Sequence, residues 1–193
     1  MTFGPDIFDL LRRTLPQVDA PIPEGDFRPA AVLVPLFVRE DTVHVVLTKR
    51  TEHVRTHQGQ VSFPGGSFEP SDGTLLRTAL REAEEEVGLR QEDVRILGVL
   101  DDLPTFVSGF VVRPFVAEVP YPYEFVHDLT EVDHVFSPPL DLFADPSRRR
   151  EELRERDGHT YAMVSYDVDG NVVWGATARM LIQLVERIAE ATV

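Results

Sequence analysis

Apolar positions along the chain change period several times, and each change predicts an element. Ile7-Phe8-Asp9-Leu10-Leu11-Arg12-Arg13 has helical amphipathic spacing and ends before Pro16. Gln17 to Pro29, rich in Pro, Asp and Gly, reads as an extended lead-in. Ala30 to Val38 (AAVLVPLFV) is a continuous apolar run expected as a buried strand, with Pro35 implying a bulge or an edge. A hairpin turn at Arg39-Glu40-Asp41-Thr42 leads to a second strand, Val43 to Thr48, with His44 expected on its solvent side. Thr74 to Val87 then shows a 3.6-residue period, with Leu76, Leu80, Ala83 and Val87 on a packing side and Gly88 as its stop.

The second half alternates again. Val94 to Val99 and Gly109 to Ala117 read as strands, with Asp101-Asp102-Leu103-Pro104-Thr105 a turn or loop between them. Leu140 to Phe143 is a short helical turn between prolines. Arg148 to Asp157 is the densest charge run, and its mixed signs predict a solvated loop or helix face. Tyr161 to Val173 predicts two strands around a Val168-Asp169-Gly170-Asn171 turn. The final helix carries Leu181, Leu184, Val185 and Ile188 at core spacing, and Trp174 before it is expected to anchor the core. Neither a repeat nor a linker interrupts the sequence, so residues 1–193 read as one domain, with 1–29 forming an N-terminal helix and lead-in.

Charge narrows the function classes. A formal net charge of −14 disfavours nucleic-acid binding, which needs a basic footprint. No run approaches the ~20 apolar residues of a membrane-spanning helix, and the N-terminus lacks a basic-then-apolar signal pattern. With no cysteine, disulfides and thiolate metal sites are excluded, and a cytoplasmic setting is the default expectation.

The acids of the central helix change the picture most. Arg81, Glu82, Glu84, Glu85 and Glu86 lie on it, with Glu82 and Glu86 one turn apart and Glu85 beside them. Like charges so close destabilise a bare helix, and a hard divalent cation with oxygen ligands would offset that cost. The preceding Phe63-Pro64-Gly65-Gly66 predicts a strand, a tight glycine loop and then the helix, with Gly65 able to offer a carbonyl to a metal shell. Arg50 and Arg55, in a basic loop segment, suit bidentate grip of phosphate. His53 and His57 lie four residues apart, but with no H-E-x-x-H pattern and no third ligand a zinc site is disfavoured. Glu118 and Glu131 could reach the site as an extra ligand or base, although for both a solvated surface acid is the favoured reading.

Gly66 to Leu89 resembles the Nudix box, G-x5-E-x7-R-E-U-x-E-E-x-G-U, where U is aliphatic. Arg81-Glu82-Ala83-Glu84-Glu85-Glu86-Val87-Gly88-Leu89 matches its second half, with Ala83 as a small U. The first half departs: Asp72 stands where Glu is expected, with eight residues rather than seven between it and Arg81, and Glu69 is an alternative early acid. Upstream, Val46-Leu47-Thr48-Lys49-Arg50-Thr51, Arg55, Gly59 and Phe63-Pro64-Gly65-Gly66 resemble the L-L-T-x-R-[SA]-x3-R-x3-G-x3-F-P-G-G motif of coenzyme A pyrophosphatases. Val46 for Leu and Thr51 for Ser or Ala are its only departures.

The resemblance implies an α/β fold, a Nudix-type α/β/α sandwich with a mixed sheet. It also implies Mg²⁺- or Mn²⁺-dependent hydrolysis of the pyrophosphate of coenzyme A to 4'-phosphopantetheine and adenosine 3',5'-bisphosphate. On that reading Arg81, Glu82 and Glu85 are catalytic, Glu82, Glu85, Glu86 and Gly65 hold metal, and Arg50 and Arg55 bind substrate. Glu82 is a ligand or the general base, and both roles stay open. The expected partner is a small-molecule substrate, with neither nucleic acid nor membrane. Two alternatives remain: a Nudix hydrolase of ADP-ribose, NADH or another nucleotide, and a non-catalytic nucleotide-binding module.

Overall fold

A computed structural model describes residues 2–17, 21–23, 25–51, 59–105, 108–156 and 159–192. In chain order its elements are α1 (Ile7–Thr14), β1 (Arg28–Arg39), β2 (Thr42–Val45), β3 (Leu47–Arg50), β4 (Val61–Ser62), β5 (Gly65–Ser67) and α2 (Leu75–Val87). There follow β6 (Arg95–Val99), β7 (Leu103–Thr105), β8 (Phe110–Glu118), β9 (Val132–Phe136), β10 (Arg149–Arg156), β11 (His159–Val168), β12 (Asn171–Trp174) and α3 (Gly175–Thr192).

The centre is a mixed sheet in the order β2-β1-β8-β6, with β5 also on β1 and β7 also on β8. β1 and β8 run parallel, from Arg28 opposite Phe110 to Leu36 opposite Glu118, and the other pairs are antiparallel. Alternation along β1 explains the sandwich. Ala31, Leu33 and Phe37 pack on the α2 side with Leu75, Ala79, Ala83 and Val87, while Ala30, Val34 and Leu36 pack on the other side with α1 and α3. A strand buried on both faces reads as an unbroken apolar run, as this one does. Pro35 stands opposite Ala117 of β8 and, on its other side, between the stretches paired to β5 (residues 30–32) and to β2 (residues 36–39), where its carbonyl accepts from the Val46 N–H, so its lack of an N–H is tolerated. There is no bulge, and β1 is an interior strand.

Several expectations change. Residues 43–48 form two strands rather than one, because the chain breaks at Val46, whose N–H donates to the Pro35 carbonyl (2.9 Å), and β3 joins a separate sheet, β4-β3-β9. His44 is buried instead of solvent-facing: its ring stacks on Phe37, its cross-strand partner, and its Nδ1 lies 2.8 Å from the Ser137 carbonyl. Leu103–Thr105 is a strand on β8. The charge run 149–156 is also a strand, since pairing with β11 along its whole length satisfies the backbone, and the side chains of 149–155 are exposed. β10, β11 and β12 form a third sheet, so the strands are divided between the mixed sheet and two smaller ones. Trp174 is 38% exposed, because Val173 takes the core-facing position of β12 and period-two alternation turns its neighbour outward.

α2 is fixed at both ends. Thr74 caps it by accepting from the Arg77 N–H (3.2 Å), a contact worth about 1 kcal/mol. Gly88 closes it in the left-handed region (φ 68°), with its N–H on the Glu84 carbonyl at 3.0 Å. Its packing side is read one position off in the sequence, for Leu75 and Ala79 are buried whereas Leu76 and Leu80 are only partly so. The two alanines let the helix lie close on β1. That placement sets the acids on the rim.

Candidate active site around the acidic helix

Two arginines organise the acids. Arg81 bonds Asp72 through two parallel contacts, Nε to Oδ1 (2.9 Å) and Nη2 to Oδ2 (3.1 Å). Its Nη1 also reaches Glu82 and Glu85, each at 3.0 Å. Asp72 is buried, and it accepts further hydrogen bonds from the Thr78 hydroxyl (2.8 Å) and the Glu69 N–H (3.0 Å). Arg81 lowers the Asp72 pKa to about 2, and the same contact raises that of Arg81. Of the two early acids considered, Asp72 is the one that meets Arg81. A 3-10 turn at Pro70–Asp72, closed by Gly73, sets Asp72 just ahead of the helix.

Arg50 forms the second hub. Its Nη1 lies 3.3 Å from Glu86 Oε1 and its Nη2 lies 3.1 Å from Glu131 Oε2, while its Nε is buried with no hydrogen-bond partner among the described residues. The Glu86 side chain is only 7% exposed, and its Oε2 accepts from the Gly65 N–H (3.2 Å). Burial pushes the Glu86 pKa up to about 7, against the pull of Arg50 and the Gly65 N–H, with the Glu82 and Glu131 charges adding to the rise. Burial also raises Glu82, and Arg81 opposes that shift. Glu85, by contrast, is 59% exposed.

The glycines belong to a strand, β5, instead of the tight loop expected, and each is required by a close approach. A Cβ on Gly65 would lie 2.4 Å from the Ala31 carbonyl, and one on Gly66 would lie 2.4 Å from Glu82 Oε1. β1 therefore presses on Gly65, and the Glu82 carboxylate rests against Gly66.

The structure thus gathers Arg50, Gly65, Arg81, Glu82, Glu85 and Glu86 around one end of α2. Arg55, His53 and His57 lie outside the described residues. Glu118 is not part of this group, for at the end of β8 it meets Arg95 (3.4 Å) and Arg12 (3.6 Å). Glu131 is not a free surface acid: pairing of β3 with β9 carries it to Arg50. Thr78, which no motif singles out, supports Asp72. Only its place one turn into the helix, on the side of the early acid, could have marked it.

A divalent cation fits these residues. Every donor is oxygen, Glu86 is a desolvated carboxylate that a cation would stabilise in its charged form, and Gly66 leaves room beside Glu82. Among the described residues no three acids or histidines converge into a preformed cage. Mg²⁺ ordinarily completes its shell with water and substrate oxygens, so two or three carboxylates suffice.

Comparison with known proteins gives the family. The NUDIX domain family matches residues 27–162. An uncharacterised Nudix hydrolase, NudL, of Enterobacter sp. (strain 638) is 40% identical over 161 residues, covering 83% of each chain. NudL of Yersinia pestis (strain Pestoides F) is 36% identical over 180 residues, covering 91% of this chain and 89% of its own. Among solved structures, a MutT/nudix family protein from Enterococcus faecalis superposes with a TM-score of 0.57 at 15% identity, over 89% of this chain and 66% of that one. A Nudix hydrolase from Alicyclobacillus acidocaldarius gives 0.52 at 22% identity, over 63% and 83%. The chain belongs to the Nudix family, and its fold is the mixed α/β sandwich of that family.

Proposed function

We propose that the chain is a divalent-metal-dependent Nudix pyrophosphohydrolase whose substrate is coenzyme A. Water would cleave the pyrophosphate to give 4'-phosphopantetheine and adenosine 3',5'-bisphosphate. The observation that carries the reading is the buried Glu86 carboxylate, held between Arg50 and the Gly65 N–H at the point where the upstream motif meets the box. The choice of coenzyme A rests on that motif, Leu47 to Gly66, and on its resemblance to coenzyme A pyrophosphatases.

Glu82, Glu85 and Glu86, with the Gly65 carbonyl, would hold Mg²⁺ or Mn²⁺, which when bound polarises phosphoryl oxygens and lowers the pKa of a bound water. Arg81 aims Glu82 and Glu85, with Asp72 as its anchor. Glu82, partly desolvated beside Gly66, is a ligand or takes the proton of the attacking water. Arg50 and Arg55 supply guanidinium donors for the substrate's phosphates, an arrangement that an acidic chain requires locally. Residues 1–193 act in this reading as one domain. Among the described residues no helix is long and apolar enough to cross a membrane.

The test is to incubate the protein with coenzyme A, ADP-ribose and NADH, with and without Mg²⁺ or Mn²⁺, and to identify products by mass. Metal-dependent release of 4'-phosphopantetheine from coenzyme A supports the reading. Cleavage of the other compounds but not coenzyme A leaves a Nudix hydrolase of different specificity. No turnover of any compound would favour a nucleotide-binding module.

A further inference from the structure

The contacts of Arg50 carry a consequence beyond phosphate binding. Both Glu86 oxygens are engaged, Oε2 by the Gly65 N–H and Oε1 by Arg50. The first donor is backbone fixed in β5, so the donor that can leave is the Arg50 side chain. Its contact with Glu86, at 3.3 Å, is long for a charge-assisted bond, which is ordinarily about 2.7–2.9 Å. Its other arm rests on Glu131, which is half-exposed and keeps the guanidinium in the site if Glu86 is given up. Its buried Nε has no acceptor among the described residues. A guanidinium grips an oxyanion best with two neighbouring N–H groups, and Nε is one of the pair still to be used.

We propose that Arg50 and the divalent cation are alternative counter-ions of Glu86, so that cation binding releases the guanidinium to the substrate's pyrophosphate. The inference rests on reading Glu86 as a cation ligand. Arg50 thereby couples the two binding events: a free carboxylate keeps the arginine folded inward, and a carboxylate taken by metal turns it toward phosphate. Each ligand then favours the other, as linkage requires.

Competition fixes the sign of an experiment. Arg50→Met removes the charge and keeps an unbranched stem. It should tighten Mn²⁺ by roughly tenfold, within the usual range for coupled sites, measured with the full chain and no substrate by electron paramagnetic resonance of free Mn²⁺. Arg50→Gln, which retains a donor toward Glu86 and disturbs packing least, should tighten it too. Arg50→Lys keeps the cation and should bind Mn²⁺ as wild type does. With Mn²⁺ saturating, methylene diphosphonate should bind wild type more tightly than either neutral variant. Unchanged or weaker Mn²⁺ binding in both neutral variants, with a native circular dichroism spectrum, overturns the competition while leaving the cation site standing. Absence of Mn²⁺ binding by wild type overturns the reading of Glu86 as a ligand, and the competition with it.

Discussion

Arg81 and Asp72, nine positions apart, meet through two parallel hydrogen bonds of 2.9 and 3.1 Å, and the contact spans a loop one residue longer than the family pattern. Asp72 has a depressed pKa, so its ionised form contributes stability above the ordinary carboxylate range, and that contribution is lost as pH falls toward about 2. Asp72→Asn should cost about 2 kcal/mol at pH 7 and progressively less in acid. Urea melts across pH check this. Because Arg81 also aims Glu82 and Glu85, turnover should fall with it.

Glu86 works in the opposite direction. Its pKa is raised to about 7, so the folded state holds a proton that the unfolded chain releases earlier. The associated stability is present below the ordinary carboxylate range and is lost as pH rises through about 7. Glu86→Gln should therefore melt higher than wild type at pH 8 in chelator, with the difference closing by pH 4. Its turnover should drop by orders of magnitude. A variant that melts lower at pH 8 would contradict the burial argument.

Gly65 and Gly66 separate fold from chemistry. Gly66→Ala places its methyl against the movable Glu82 carboxylate, so it should lower kcat at least tenfold, a cost in the range of a displaced catalytic group, with little change in melting temperature. Gly65→Ala meets the Ala31 carbonyl and Val32 Cα, backbone that cannot yield, and should destabilise by about 2 kcal/mol. Equal effects of the two on melting would remove the distinction.

Exposure also ranks the box acids. Glu85 is largely solvated and bonded to Arg81, whereas Glu86 is buried, so Glu85→Gln should lose far less activity than Glu86→Gln. Steady-state kinetics at saturating Mn²⁺ would show the order.

Trp174 gives a test of the corrected core. Trp174→Ala should change stability by less than about 1 kcal/mol, whereas Val173→Ala, at a fully buried position, should cost about 2 kcal/mol. The sequence makes Trp174 look like an anchor because composition ranks tryptophan as apolar. Strand phase, which depends on where β11 and β12 pair, decides otherwise.

The same division runs through the site. The helix, its glycine stop and the one-turn spacing of Glu82 and Glu86 follow from local period and are legible in the residues themselves, whereas the burial of Glu86 is not. Arg50 on Glu86, Glu131 on Arg50 and the split at Val46 depend on which strands pair at long range, and no local pattern encodes that. Asp72 is intermediate: its spacing marked it as one of two candidates, and burial against Thr78 distinguishes it from Glu69.

The parallel pairing of β1 with β8 has a consequence for how the molecule forms. Where β1 begins, Arg28 bonds a carbonyl 80 positions downstream. A chain leaving the ribosome therefore presents β1, with both faces apolar, long before its parallel neighbour is made. β2 and β5 can shield one edge in the meantime, but the other stays open as a template for wrong pairing. Slow synthesis between residues 39 and 110 would then lengthen the exposure of β1, and this is where a chaperone would find the nascent protein.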